Sequence, residues 1–359
     1  MTAQRLAARQ VSFAAVRERV DAALTEFLES KAHEAAARNH PAEVTEVLHD
    51  FVFAGGKRLR PVLCVLGWMA ADGRGASAAV VQAAASLEMF HAFCLIHDDV
   101  MDRSTTRRGS PTVHRALTTR HHDHPAPEQL GTSAAILAGD LALVWSDELL
   151  ATARLTRTQL AAVRPLLDTM RTEVMYGQYL DLLATGQPTA DTSTALEIIR
   201  YKTAKYTIER PLHIGATLAS ARQDLLTALS AYALPLGEAF QLRDDLLGVF
   251  GDTAVTGKPV TDDLREGKHT LLTALALQHA TPAQQTLLHS LIGHPGLNEA
   301  QARRIRTILE TTGARRQVED LIDQHRRSAL HLLDTTTLIA PQAITHLHRL
   351  AHTMTRRTT

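Results

Sequence analysis

A long apolar segment that ends in three aspartates places the strongest constraint on how this chain can fold. Residues 76–102 are predicted to form one helix, with an apolar run from Ala83 to Ile96. Asp98 and Asp102 follow that run at a spacing of four, so their carboxylates share one face of the helix. Two like charges in that position repel unless a cation lies between them, and Mg²⁺ is a hard cation that prefers carboxylate oxygens. The segment therefore predicts either a metal site or an acidic helix end that is exposed to solvent.

Composition predicts an all-α fold. Alanine and leucine dominate the 359 residues, aromatic residues make up only 4%, and β-branched runs are short and scattered. No linker and no shift in composition divides the chain, so we expect a single helical domain over residues 1–359. Lys plus Arg and Asp plus Glu balance at 38 each, which argues against a protein that binds nucleic acid or an anionic membrane.

The cysteines and the N-terminus predict a soluble protein of the cytoplasm. The two cysteines, Cys64 and Cys94, lie in apolar helical stretches and have neither metal-ligand nor disulfide-framework spacing. Residues 1–10 are polar and basic, without the apolar centre of a signal peptide. No window of the sequence consists of 18 apolar residues, so we predict no membrane-spanning helix.

The period of the apolar residues predicts a series of helices joined by short polar segments. They cover about residues 11–30, 41–52, from 57 onward, 76–102, 130–152, 156–185, 192–219, 222–250, 268–280, 282–292, 297–311, 313–334 and 339–354. Two longer loops are predicted, at about 119–129 and at 251–267. The first loop contains His121, His122 and His124, which could bind a metal, but an exposed flexible loop is the simpler interpretation.

A second acidic segment interrupts the helix predicted over 222–250. Asp244 and Asp245 are adjacent, and Asp244, Gly248 and Asp252 follow one another at intervals of four, so all three lie near one side of the helix. Burying two acidic segments without cations would cost several kcal/mol per charge. We therefore predict that the two segments face each other and hold several divalent ions.

Metal-bound carboxylates need an anion to bridge the ions, and diphosphate is a natural choice. Basic residues flank both acidic segments, mostly near the ends of predicted helices, and Lys202 lies within a predicted helix at an apolar face. They are Lys57, Arg58 and Arg60 after the Gly55-Gly56 break, Arg107 and Arg108, Lys202 beside Thr203, and Lys258 and Lys268. Each set alone would be an ordinary solvated surface, and their shared position favours anion binding.

Five segments resemble the trans-isoprenyl diphosphate synthases and occur in the order and spacing of that family. They are GGKRLRP at 55–61, HDDVMD at 97–102, RRG at 107–109, KTA at 202–204 and QLRDD at 241–245. The resemblance covers about residues 40–275. It implies a helical bundle around a deep central cavity, a homodimer, and three Mg²⁺ ions on an allylic diphosphate with isopentenyl diphosphate beside it.

The resemblance also implies a role for individual residues, carried over by position. The isopentenyl diphosphate pocket would be formed by Gly56, Lys57, Arg60, His91 and Arg108. Asp98, Asp102 and Asp244 would bind metal, supported by Asp99 and Asp245. The contacts to the allylic substrate would come from Arg107, Lys202, Thr203, Gln241, Lys258 and Lys268. Of these, Asp98, Asp102, Arg107, Lys202, Asp244 and Lys258 would act in catalysis.

The chain departs from the family pattern at Gly248, where the second motif normally has its third aspartate. Asp252, one turn further on, is a candidate substitute. The spacing of Asp244, Gly248 and Asp252 also approaches the metal triad of class I terpene cyclases, so a cyclase is the alternative enzyme. The second anion pocket and the low aromatic content argue against a cyclase. A non-catalytic subunit is a further alternative, but the acidic and basic residues are retained.

The segment before Asp98 predicts the length of the product. Cys94, Phe93 and Phe90 lie four, five and eight positions before Asp98. In the family, bulk at the fifth position alone resembles a C20 enzyme, and bulk at the fourth and fifth resembles a C15 enzyme. Phe93 is bulky and Cys94 is small, so we expect geranylgeranyl diphosphate, with farnesyl diphosphate as the alternative. The competing interpretation is that Phe93 only packs between helices.

Overall fold

Helices make up nearly all the regular structure of this protein, as a computed structural model that describes residues 12–73, 75, 77–251 and 261–355 shows. The first seven helices are α1 (Phe13–Ala37), α2 (Glu43–Phe53), α3 (Leu59–Ala70), α4 (Ala78–Met101), α5 (Val113–Arg120), α6 (Pro127–Ala151) and α7 (Arg157–Ala184). A hairpin of two short strands, β1 (Thr106–Arg107) and β2 (Ser110–Pro111), lies between α4 and α5. The prediction of an all-α fold is confirmed.

The second half of the chain contains a long π-helix. Helix α8 (Thr192–Ile198) continues directly into the π-helix (Ile199–Glu209) and then into α9 (Arg210–Leu218). The remaining helices are α10 (Gln223–Phe250), α11 (Asp262–Glu266), α12 (Leu271–His279), α13 (Pro282–Leu291), α14 (Glu299–Thr311), α15 (Ala314–Thr335) and α16 (Pro341–Thr355). Capping boxes at Thr270, Thr281 and Asn298 fix the starts of α12, α13 and α14.

Both predicted loops are shorter than expected. Residues 119 and 120 belong to α5 and α6 begins at Pro127, so the first loop shrinks to 121–126. Helix α5 packs on α6, where a Cβ at Gly131 would overlap the Thr118 side chain, and this tertiary contact stabilises a helix that its polar sequence does not predict. Helix α11 lies inside the second predicted loop, over 251–267.

The described residues form two compact units. The first unit comprises the described parts of 1–105, 111–161 and 215–220. Its core is formed by α1, α3, α4 and α6, and α1 contributes Val16, Val20, Leu24 and Leu28, which are spaced by four and buried.

Helix α4 is the central helix of the first unit. By length and composition it could cross a membrane, because an 18-residue window has a mean hydropathy of 1.6. The window is not an unbroken apolar run, because it contains polar residues such as Gln82 and Glu88, so the expectation of no 18-residue apolar run holds. Moreover, 72% of that window is buried inside the protein, which is typical of a core helix. Ser77 caps the helix by accepting a hydrogen bond from the Val80 N–H.

The second unit comprises the described parts of 106–110, 162–214 and 221–359. Its central helix is α10, which packs against the π-helix, α15 and α16. The hydroxyl of the fully buried Tyr232 donates a 2.8 Å hydrogen bond to the Leu347 carbonyl and fixes α16 on α10. The apolar core includes Leu242, Leu246, Leu272, Ile305, Val318 and Ile322.

Candidate active site

Helix α4 has a partly exposed stripe that contains the first acidic segment. His91, Cys94, Asp98 and Asp102 follow one another at intervals of three or four, and each keeps part of its side chain accessible. Most of the surrounding helix is buried. Four predicted site residues therefore share one accessible face, as the helical spacing requires.

Asp99 lies off that face. Its side chain is 1% exposed and its charge acts on His114 of α5. Burial lowers the pKa of His114, and the negative charge of Asp99 opposes that shift. Asp99 therefore points away from the accessible face, and its supporting role stays a prediction.

Three basic residues that are close in sequence, at the start of α3, differ in how far their side chains are exposed. Gly55 and Gly56 have φ values of 102° and 142°, which a residue with a side chain rarely adopts. Lys57 is exposed and Arg60 is half-buried, whereas Arg58 is 5% exposed and in the left-handed region at φ 46°. Lys57 and Arg60 therefore remain candidates for an anion site, and Arg58 does not.

Arg58 is held by three groups of the first unit. Its Nε lies 2.7 Å from Asp21 Oδ1, its Nη1 lies 3.0 Å from Glu88 Oε1, and its Nη2 donates to the Val52 carbonyl at 2.8 Å. Glu88 is itself buried. A buried charge of this kind persists only when it is paired and hydrogen-bonded, so Arg58 has a structural role.

The π-helix contains Lys202 and Thr203, and it packs closely against a glycine on each of two neighbouring helices. A Cβ at Gly177 of α7 would lie 2.6 Å from the Lys202 backbone nitrogen, and a Cβ at Gly237 of α10 would lie 2.5 Å from the Ala204 Cα. Only glycine permits both approaches. Because π-helical turns are often found at functional sites, this geometry makes the segment around Lys202 a strong candidate.

The predicted substrate contacts of the second unit are held by an ion pair and a chain of hydrogen bonds. Lys202 Nζ lies 2.6 Å from Asp181 Oδ2 on α7. The Thr203 hydroxyl donates to Gln241 Oε1 at 2.7 Å, and Gln241 Nε2 donates to Asp245 Oδ1 at 2.8 Å. The structure thus places four predicted residues in two neighbouring sets of contacts, Lys202 with Asp181 and Thr203 with Gln241 and Asp245. Asp181 was not predicted, because nothing in the local sequence distinguishes this aspartate on α7.

The second acidic segment concentrates negative charge. The pKa of Asp245 is raised to about 7, mainly by burial and also by the negative charges of Asp263 and Asp244. The hydrogen bond from Gln241 and the charge of Lys268 oppose these effects. Three carboxylates near one ammonium group form a local excess of negative charge that a cation would relieve.

The remaining predicted residues lie outside these contacts. Arg107 belongs to β1 and is half-buried, and Arg108 is exposed at the following turn with φ 54°. Lys258 and Asp252 lie outside the described residues, so their predicted roles stay predictions.

The comparisons with known proteins agree with this geometry. A sequence model of the polyprenyl synthetase family matches residues 41–310. The chain is 36% identical over 264 residues to a geranylfarnesyl diphosphate synthase of Aeropyrum pernix, covering 73% of this chain and 77% of that protein. It is 34% identical to a geranylgeranyl diphosphate synthase of Methanosarcina mazei, with 72% of each chain covered.

A solved structure is also similar over almost its whole length. It is a geranylgeranyl pyrophosphate synthase from Corynebacterium glutamicum complexed with isoprenyl diphosphate and magnesium. The TM-score is 0.90 at 42% sequence identity, with 96% of this chain and 98% of that chain covered. The chain belongs to the polyprenyl synthetase family. As a polyprenyl synthetase it is a prenyltransferase.

The carboxylates of this polyprenyl synthetase fit Mg²⁺. Among the described residues, no three His, Cys, Asp or Glu side chains form a group that could hold a metal. Mg²⁺ does not need such a group, because it is commonly bound by one or two carboxylates together with water and substrate phosphate. The acidic donors and the raised pKa of Asp245 therefore suit an open site that substrate completes.

Two histidines of the segment at 121–124 contact acidic side chains. His121 Nε2 lies 2.9 Å from Glu43 Oε2, and the neighbouring Arg120 lies 3.0 Å from Glu46. These pairs join the end of α5 to the start of α2. His122 pairs with Asp123 at 3.2 Å on the exposed turn.

Proposed function

We propose that this polyprenyl synthetase condenses isopentenyl diphosphate head-to-tail with allylic diphosphates and releases geranylgeranyl diphosphate. The observation that carries the proposal is the network from Thr203 through Gln241 to Asp245, beside the Lys202–Asp181 pair. It links predicted contacts to the allylic diphosphate with the second acidic segment. The relatives include synthases of geranylgeranyl and geranylfarnesyl diphosphate, which supports a product in this range.

Two anion sites are part of the proposal. Lys57, Arg60, His91 and Arg108, with the backbone at Gly56, bind isopentenyl diphosphate. The allylic diphosphate contacts Arg107, Lys202, Thr203, Gln241, Lys258 and Lys268. Asp98, Asp102 and Asp244 bind the metal. The exposed Lys57 and the accessible His91 on the stripe of α4 support the first site.

The chemistry follows from these roles. Bound Mg²⁺, which we propose as three ions, would neutralise charge on the allylic diphosphate. Lys202, fixed by Asp181, and Arg107 stabilise the charge that builds on the departing diphosphate as the allylic C–O bond breaks. The isopentenyl double bond attacks the allylic carbon and forms the new C–C bond. The attack leaves a positive charge on the former isopentenyl unit, and the carbon next to that charge loses a proton to the released diphosphate. The double bond that results makes the product a new allylic diphosphate.

Product analysis tests the proposed function. The purified protein is incubated with Mg²⁺, isopentenyl diphosphate and each of the C5, C10 and C15 allylic diphosphates, and the chain length of the product is measured. We expect a C20 product from all three donors. A product that stops at C15 would indicate a farnesyl diphosphate synthase, and the absence of any longer prenyl diphosphate would contradict the proposal.

Phe93 is proposed to limit the length of the product. It is 8% exposed, and its ring lies 5.4 Å from Phe90 and 4.7 Å from His97, centroid to centroid. His97 packs against Gly139 of α6, so Phe93 also contributes to packing. Cys94 is the small, accessible neighbour on the stripe of α4.

Phe93→Ala is expected to shift the main product from C20 to C25 or longer, because removing the ring deepens the space available to the growing chain. Chromatography of the products after labelling with isopentenyl diphosphate measures the shift. Phe27→Ala is the control and should leave the product at C20, since it removes a ring of α1 that packs on Trp145 and lies outside the product-length segment. An unchanged C20 product from Phe93→Ala would assign Phe93 to packing alone.

We also propose that the enzyme is a cytoplasmic homodimer. Helix α7 has an exposed apolar stripe in which Tyr176, Tyr179 and Leu183 are 67%, 58% and 57% exposed. Leu137 and Val144 of α6 are 64% and 58% exposed and lie one above the other at a spacing of seven. Apolar stripes of this kind support a protein interface. Cys64 and Cys94 are not joined in a disulfide, which supports a reducing compartment.

Replacing Tyr176 and Tyr179 together by glutamate is expected to convert the dimer to a monomer, since charge would enter an apolar interface. Light scattering after size-exclusion chromatography gives the mass directly. Leu338→Glu is the control, because Leu338 is an exposed apolar residue, at 45%, between α15 and α16. A wild-type protein that is monomeric at micromolar concentration would refute the homodimer.

A further inference from the structure

The position of the missing third aspartate is occupied by another carboxylate. Gly248 lies in the last two turns of α10, four residues after Asp244. A Cβ at position 248 would overlap Oδ2 of Asp263 and lie 3.0 Å from its Cγ. The Asp263 carboxylate therefore fills the space that the first atoms of a side chain at 248 would need.

Local contacts hold Asp263 in this place. It belongs to the first turn of α11, and its Oδ1 lies 3.4 Å from Lys268 Nζ. The Asp263 carbonyl accepts a 3.2 Å hydrogen bond from the Lys268 N–H, so backbone and side chain of the two residues are both in contact. Glu266 Oε2 lies 3.0 Å from the same Nζ. Asp263 and Glu266 thus fix the ammonium group beside the second acidic segment.

Asp263 is accessible and close to the other carboxylates. Its side chain is 25% exposed, and its charge, like that of Asp244, acts on Asp245. Its neighbour Asp262 is 30% exposed and pairs instead with Arg265 at 3.3 Å. Two adjacent aspartates on one short helix therefore have different surroundings, and only Asp263 reaches α10 at Gly248.

We infer that Asp263 supplies the carboxylate that position 248 lacks, and that glycine at 248 is required to admit it. In the family pattern the third acidic group comes from α10 itself. Here it comes from α11, and its Oδ2 lies where the Cβ of a side chain at 248 would be, so such a side chain would displace the carboxylate. The inference rests on the proposed function, because it assigns Asp263 to the same Mg²⁺ and diphosphate site. It also makes Asp263 the positioning residue for Lys268.

The test measures Mg²⁺ affinity rather than activity alone. Each variant is titrated with Mg²⁺ in the presence of inorganic diphosphate, by calorimetry and by the rise in Tm that ligand binding produces. Asp263→Asn is expected to weaken Mg²⁺ binding roughly 10–100-fold, the range typical when groups that support a metal site are removed. Gly248→Ala should have a similar effect, because its methyl group displaces the carboxylate without changing any charge.

Two further variants make the test decisive. Asp262→Asn is the matched control and should bind Mg²⁺ as the wild type does. The exchange variant, Gly248→Asp with Asp263→Ser, returns the carboxylate to α10 and should recover affinity to within a few-fold of wild type. Circular dichroism without metal confirms that each variant is folded.

Several results would overturn the inference. They are unchanged affinity in Asp263→Asn, equal losses in Asp262→Asn and Asp263→Asn, or a folded exchange variant that binds no better than the single variants. The proposed function fails separately, if the wild type forms no condensation product. A wild type that condenses its substrates while Asp263→Asn keeps full Mg²⁺ affinity would refute the role of Asp263 alone.

Discussion

Asp98→Ala and Asp102→Ala are each expected to lower kcat/KM for condensation on the order of a thousandfold or more. The two carboxylates share the accessible face of α4, where a hard cation and a diphosphate would bind. Metal ions at such a site contribute several kcal/mol to stabilising the charge of the departing group, and each 1.36 kcal/mol is about tenfold in rate. Incorporation of labelled isopentenyl diphosphate into product measures the loss.

A stability measurement separates this effect from misfolding. Both aspartates are partly exposed at the end of a helix, so their removal should change the free energy of unfolding by less than about 1 kcal/mol. Asp50→Ala is the control for activity, because Asp50 is an 81% exposed carboxylate on α2 in the same unit. If Asp98→Ala retained wild-type turnover, the metal mechanism would be wrong.

Arg58→Leu is expected to cost about 3–5 kcal/mol of stability, the typical cost of removing one partner from a buried ion pair. The substitution leaves Glu88 buried without the guanidinium that lies 3.0 Å from it. It also removes the hydrogen bond to Val52 and the pair with Asp21. Thermal and urea unfolding measure the change, with the exposed Arg19→Leu as the control.

The double variant Arg58→Leu with Glu88→Leu tests the physical cause. Removing both partners leaves no unpaired buried charge, so this variant should be more stable than Arg58→Leu alone. At a temperature where Arg58→Leu is folded, its KM for isopentenyl diphosphate should stay near that of wild type. Lys57→Ala and Arg60→Ala should instead raise the KM for isopentenyl diphosphate. A large rise in KM with unchanged stability would place Arg58 in the substrate site instead.

Local sequence was sufficient to predict most helices and the stripe on α4. The spacing of His91, Cys94, Asp98 and Asp102 depends only on the helical period, and the structure places them on one accessible face. The basic sequence at 57–60 did not reveal that Arg58 is buried. That fact depends on Glu88, thirty residues further along the chain. Long-range pairing of this kind has no signature in a local pattern.

The features that the sequence did not predict all arise from tertiary contacts. The π-helix at Lys202 is enclosed by Gly177 and Gly237, which lie on two other helices. Asp181 is buried, at 8% exposed, and lies 2.6 Å from Lys202, and neither property has a signature in the sequence around it. The sequence places Asp263 only within the predicted loop at 251–267, because its approach to Gly248 requires α11 to fold.

The stoichiometry of diphosphate release tests the central claim most directly. In a condensation, one inorganic diphosphate is released for each isopentenyl diphosphate consumed, and none is released from the allylic diphosphate alone. We predict this one-to-one ratio with the C15 allylic diphosphate, together with a C20 diphosphate product. Release of diphosphate from the allylic substrate without isopentenyl diphosphate, with a hydrocarbon or alcohol as product, would contradict the account and indicate a cyclase.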